Sequence, residues 1–160
     1  MKRFAATLLL LFAVLAFGAA QTNEAQESTV KKSAVPKAVL AAFEKAYPHA
    51  TVKGYAKEVE GGKAEYEIES REGAVSRDVS YAEDGTVLSV EESLPFAALP
   101  EAVRAAIAKE FPKQTASACE KVTKGSATQY EVVLKSGKKR TEAVFNADGT
   151  LVTKESNAKN

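Results

Sequence analysis

Along residues 63–70 the chain alternates, with Ala64, Tyr66 and Ile68 on one side and Glu65, Glu67 and Glu69 on the other. A period of two is that of a strand with one face in a core and one toward water. Further on, Tyr130, Val132 and Leu134 mark the same buried face, with Gln129, Glu131 and Val133 opposite. After turns at Gly73 and Gly137 a further strand follows, in which Val75, Val79 and Tyr81 share a face. Asp84-Gly85 and Asp148-Gly149 predict hairpin turns, because glycine takes the positive φ such turns demand. Residues 86–91 and 150–155 then close each run as a short strand. A helical period precedes these strands: Val39, Ala42, Phe43 and Ala46, and later Val103, Ala106 and Ile107, each form one apolar stripe. Each helix opens with Val35-Pro36 or Leu99-Pro100, since proline suits the first turn, where its missing N–H costs nothing. Tyr47-Pro48 and Phe111-Pro112 end them, because the residue before a proline resists the α conformation. Residues 51–60 also read as a strand, although their pattern disagrees with that of residues 115–124.

The elements come twice, 64 residues apart. Pro36 and Pro100, Pro48 and Pro112, Gly61 and Gly125, Tyr66 and Tyr130, and Asp84-Gly85-Thr86 and Asp148-Gly149-Thr150 all keep that spacing. The register never slips between residues 35–91 and 99–155, and 17 of the 57 aligned pairs are identical. This is an internal duplication. It predicts an α+β fold of two tandem repeats, each one helix packed on a three- to four-stranded antiparallel sheet, forming one joined structure. Residues 92–98 link the copies, and Leu94, Pro95 and Phe96 make that link apolar enough to pack. Residues 21–34 are polar and aperiodic and are expected to be a flexible leader, with 156–160 a tail.

The first twenty residues change the compartment. Lys2 and Arg3 precede an apolar run from Ala5 to Phe17, and Gly18-Ala19-Ala20 supplies small residues for cleavage before Gln21. That is the pattern of a signal peptide, 1–20, and the run is shorter than the ~20 apolar residues that span a bilayer. The expected location is periplasmic or secreted, with no membrane insertion after cleavage. The full chain has 22 Lys+Arg against 21 Asp+Glu, and losing Lys2 and Arg3 leaves 20 against 21. A chain so close to neutral has no general attraction to nucleic acid. Charge is unevenly divided, however: residues 35–91 hold 7 basic and 11 acidic side chains, residues 99–155 hold 10 and 7.

Catalytic groups are scarce. The one histidine, His49, follows the helix-ending Pro48 and is matched by Lys113 in the second copy, the pattern of a solvated loop. The one cysteine, Cys119, has no disulfide partner, aligns with Tyr55 and has no activating neighbour in sequence. One His and one Cys make no ordinary zinc site. A calcium loop of the EF-hand kind needs oxygen ligands at alternating positions before its glycine. Those positions hold Ser80, Ala82 and Asp84 before Gly85, and Val144, Asn146 and Asp148 before Gly149, which is neither convincing nor shared. No catalytic residue, metal site or cofactor is expected.

A helix opening with hydrophobe-Pro and ending in aromatic-Pro, then Tyr-Glu-apolar, a charged hairpin strand and Asp-Gly-Thr: residues 35–155 in this order resemble the PepSY-like family. That family is related by fold to the secreted β-lactamase-inhibitor protein, also a tandem repeat of helices against an antiparallel sheet. The resemblance implies an extracytoplasmic binding or inhibitory module rather than an enzyme, with a sheet surface as its contact face. The inhibitor protein is disulfide-stabilised, which this chain cannot be. If the helices cover one face of the sheet, the other faces water, and Glu65, Glu67, Glu69, Gln129, Glu131 and Val133 form an exposed patch for an unidentified protein or peptide partner. The rival expectation is a sensor of a small ligand or of a cation such as calcium.

Overall fold

In the computed structural model, which describes residues 27–60 and 62–158, both periodicities are realised. The strands are β1 (Ser28–Thr29), β2 (Thr51–Glu60), β3 (Lys63–Glu72), β4 (Val75–Ala82), β5 (Val87–Ser93), β6 (Thr115–Lys124), β7 (Ala127–Ser136), β8 (Lys139–Asn146) and β9 (Leu151–Ala158), with helices α1 (Lys37–Ala46) and α2 (Glu101–Glu110). All nine strands form one antiparallel sheet in chain order. Each copy contributes four strands, β2–β5 and β6–β9, with the short β1 added beside β2, and β5 pairs with β6 to join the copies edge to edge. The expected signal peptide lies outside the described residues.

Both helices pack on the same face of this sheet. At ten residues each they fall short of the ~12–15 that persist alone in water, so packing holds them. Val39 and Phe43 of α1 bury against Tyr66, Ile68, Val79 and Tyr81. Val103 and Ile107 of α2 do the same against Val132, Leu134, Ala143 and Phe145. Pro36 and Pro100 stand at the N-cap, one position earlier than a first-turn proline. The helices end as anticipated at Tyr47 and Phe111, whose N–H groups donate to the carbonyls of Phe43 and Ile107 at 2.8 and 2.9 Å.

Residues 51–60 and 115–124 are strands, as expected, and neither alternates simply because each has a β-bulge at the equivalent place, between Val52 and Gly54 and between Ala116 and Ala118. The extra residue shifts the alternation by one, so Val52 and Tyr55 both meet the α1 core, and Ala116 and Cys119 the α2 core. The leader expected to be flexible from 21 to 34 is ordered from Glu27. Ser28 and Thr29 pair with Lys57 and Ala56 just as Glu92 and Ser93 pair with Lys121 and Glu120. The Val30 N–H donates to the Tyr55 carbonyl and the Leu94 N–H to the Cys119 carbonyl, each at 2.9 Å. Short 3-10 turns at Lys32–Ala34 and Phe96–Ala98 complete the match. The duplicated unit thus fills its whole 64-residue period, and the end of β5 is at once the close of one copy and the opening of the next.

One buried polar contact was invisible in the pattern. Arg77, 9% exposed, lies on the helix-side face of β4. Its Nε donates to Glu92 at 2.8 Å, its Nη1 reaches Glu72 at 3.4 Å, and its guanidinium covers the Tyr47 ring at 4.2 Å. Sixty-four residues later Thr141 and Ser156 occupy the positions of Arg77 and Glu92 and share a 2.9 Å hydrogen bond. Each copy satisfies the same buried cross-strand position, one with an ion pair and one with two hydroxyls.

Candidate functional site

The second face of the sheet has no helix over it among the described residues. The alternation of β3 sends Glu65, Glu67 and Glu69 there, opposite Tyr66 and Ile68 in the core. Register then carries the face across the sheet. Glu69 stands opposite Asp78, and Asp78 opposite Glu91. Glu91 meets Val122, and one pair along, Ser93 meets Glu120, which meets Glu131. Directly opposed like charges destabilise a sheet, yet Glu69, Asp78 and Glu91 run in one row across β3, β4 and β5, and Glu120 and Glu131 face each other across β6 and β7.

All six residues of the expected patch lie on this face. Exposure is where the expectation fails: Glu131 is only 3% exposed, and Glu65, Glu67, Glu69, Gln129 and Val133 are half-buried. Oε2 of Glu131 has no hydrogen-bond partner. Gln129 is engaged, donating to Asn146 at 3.2 Å, and Glu65 stands toward the β2 side, opposite Glu58 and Ala82. What the structure gathers instead is Glu67, Glu69 and Glu131 with three residues not singled out from sequence: Asp78, Glu91 and Glu120. Asp78 was readable, since it is the odd position beside Val79. Glu120 was hidden by the β6 bulge.

Burial, with crowding by like charges, raises Glu67, Asp78, Glu91 and Glu131 above the usual carboxylate range. Desolvation, then the charges of Asp78, Glu27, Glu91 and Glu69, push Glu67 up to about 8. Desolvation leads again for Glu91, raised to about 7 with Glu120, Glu131 and Asp78 adding to it. Glu131 rises to about 7 through desolvation and Glu120, with Arg140 pulling it down and Glu155 up. Asp78 rises to about 6 through desolvation, Glu69 and Glu120. Arg140 forms its own ion pair with Glu142.

A consequence for stability follows from the sign of these shifts. A carboxyl whose folded pKa exceeds its unfolded value near 4.5 binds more protons when folded. Its stabilisation is complete below about pH 4.5 and is lost as pH rises through about 7–8. The protein is therefore expected to melt several degrees higher at pH 5 than at pH 9. Glu67→Gln should remove a large part of that difference by raising the melting temperature at pH 9. Thermal melts of both proteins across this range check it; a melting temperature that rises with pH would contradict the burial of these acids.

Comparison with known proteins agrees with the architecture. The PepSY-like family model, described as "Putative beta-lactamase-inhibitor-like, PepSY-like", matches residues 18–89 and again residues 71–153. The fold is similar to that of a candidate periplasmic protein from Bacteroides eggerthii, with a TM-score of 0.66 at 17% identity over 78% of this chain and 90% of that one. It is also similar to a BLIP-like protein from Bacteroides fragilis, with a TM-score of 0.61 at 21% identity over 78% and 89% of the two chains. At these identities the likeness is one of fold. No curated protein matches the sequence significantly. Among the described residues no helix is long and apolar enough to cross a membrane.

Proposed function

Because the chain belongs to the PepSY-like, β-lactamase-inhibitor-like family, we propose that it is an exported, non-catalytic binding module that engages a protein partner through the open face of its sheet. The narrower form of this reading is that the partner is an envelope or secreted hydrolase, which the module inhibits or modulates. The observation that carries the proposal is the row of directly opposed carboxylates Glu69, Asp78 and Glu91 on a face that, among the described residues, no helix covers. Such an arrangement opposes the folded state, and a sheet stabilised from its other side has no structural use for it. Surface kept at a cost to stability is the mark of a contact surface.

Photo-crosslinking in the exporting cell tests the surface. A photoreactive residue replaces Glu65 or Val133 on the open face, or Ala41 or Ala105 at equivalent exposed positions on the two helices. The expected result is one protein partner captured from both open-face positions and none from the helical side. Capture of the same partner from Ala41 and Ala105 alone would move the contact surface to the helices.

A further inference from the structure

Within the open face, the strongest demand for a partner lies where the two copies meet. Glu91 is on the last strand of the first copy; Glu120 and Glu131 are on the first two full strands of the second. Glu120 and Glu131 are opposed across β6 and β7, and Asp78 and Glu91 across β4 and β5. Of these, Glu131 is the most deeply placed, at 3% exposure, with Oε2 unpartnered. A buried polar atom without a hydrogen bond weighs against the fold, and this one sits among other carboxylates. The basic side chain nearest in effect, Arg140 on β8, is already paired with Glu142.

We infer that this seam, floored by Glu131 and rimmed by Glu91 and Glu120, receives the lysine or arginine side chains of an extended basic segment of the partner protein. The inference rests on the binding-module reading above. Spacing favours a chain over a bare ion. Among the described residues no three acidic, His or Cys side chains converge as ligands of a metal ion, and the carboxylates lie instead on successive strands, ~4.8 Å apart. Same-side residues of an extended segment recur every ~6.6–7 Å, so three basic side chains crossing the seam span the ~14 Å from β4 to β7. The rim glutamates have flexible stems that can turn aside to admit a cationic head to Glu131, where a charge-assisted hydrogen bond satisfies the orphaned oxygen. Glu67 and Glu131 are repeat equivalents, but only Glu131 lies at the junction, so the site arises from the joining of the copies and not from either copy alone.

Proton linkage supplies an independent readout. Glu91 and Glu131, both at about 7, are partly protonated at neutral pH, and a bound ammonium or guanidinium favours their ionised forms. Asp78, Glu120 and Glu155 oppose that ionisation and Arg140 assists it. Binding at pH 7 therefore releases protons.

The test is calorimetric titration with an eight-residue peptide of alternating lysine and serine, in buffers of different ionisation enthalpy. Parallel arms use the glutamate–serine counterpart, spermidine and calcium. The expected result is binding of the lysine peptide with proton release. Affinity should fall at least tenfold in Glu91→Gln/Glu131→Gln, a variant whose fold is checked by circular dichroism and whose uncharged amides leave the sheet intact. The glutamate peptide should not bind. Equal affinity of the lysine peptide for the wild type and the double variant overturns the site, and tighter binding of calcium or spermidine than of the peptide overturns the extended segment as its occupant. Crosslinking from Glu65 and Val133 in the same double variant separates the two levels of the argument. Persisting crosslinks with a peptide indifferent to the seam would leave the open face as the contact surface and remove the seam; absence of open-face crosslinks in the wild type would remove both.

Discussion

Phe145→Ala is expected to lower the unfolding free energy by about 3–5 kcal/mol, the usual cost of truncating a buried aromatic ring. Phe145 is fully buried under α2 and meets the Phe111 ring edge-on, with centroids 6.4 Å apart at 87°. Small domains have only about 5–15 kcal/mol of stability in total, so the loss is large enough to unfold a fraction of the population at 37 °C. Its repeat equivalent, Tyr81, is just as buried, but its hydroxyl has no hydrogen-bond partner. Tyr81→Phe, which makes the first copy resemble the second, is therefore expected to be neutral or to stabilise by up to about 1 kcal/mol. Urea denaturation of the two variants reads both effects. A destabilised Tyr81→Phe would mean that the hydroxyl is satisfied, and a mild Phe145→Ala that the α2 core closes over the gap.

The second large effect is expected at a turn. Gly149 has φ +84°, and a Cβ built there would lie 2.6 Å from the carbonyl oxygen of Ala102 in the first turn of α2. Gly85 repeats this in the first copy at φ +86°, 2.8 Å from the Ala38 carbonyl oxygen. The Asp-Gly-Thr turn does more than reverse the chain: its glycine lets the helix start lie directly against the hairpin, and a backbone atom cannot move aside as a side chain could. Gly149→Ala should therefore cost more than the ~1–3 kcal/mol of a side chain held at positive φ. Gly137 is the control, with φ +57° and nothing within 4 Å of an added Cβ. Gly137→Ala should cost only the conformational part. Equal losses in the two variants would show that the approach to Ala102 carries no weight.

The duplication and the strand faces were legible because both leave periodic marks. Tyr66 and Tyr130 share a repeat position and a face, and Tyr66 is buried as its alternation says. Tyr130 is only half-buried, although its cross-strand neighbour Lys121 is the repeat equivalent of the Lys57 that stands beside Tyr66. The bulges at Val52/Gly54 and Ala116/Ala118 defeated the pattern because a shift of one residue exchanges the two faces. Arg77 and Glu92 are charged residues on a face that otherwise reads as apolar, and only their pairing at 2.8 Å explains them. The acidic seam could not be seen in either copy, since Asp78, Glu91, Glu120 and Glu131 come together only through the β5–β6 junction.

The order of the strands in the sheet also sets how the chain finds its fold. Because each strand lies beside its predecessor, most pairings close through a short turn, and the longest connections, from β1 to β2 and from β5 to β6, are shortened in effect by the helix each contains. Contacts stay local in sequence, loop-closure entropy remains small, and folding is faster than in sheets built from distant segments. Each copy carries its own helix and apolar cluster, so either can nucleate, and the last residues of β5 then template the copy that follows, as in a linear array propagating from one unit to the next.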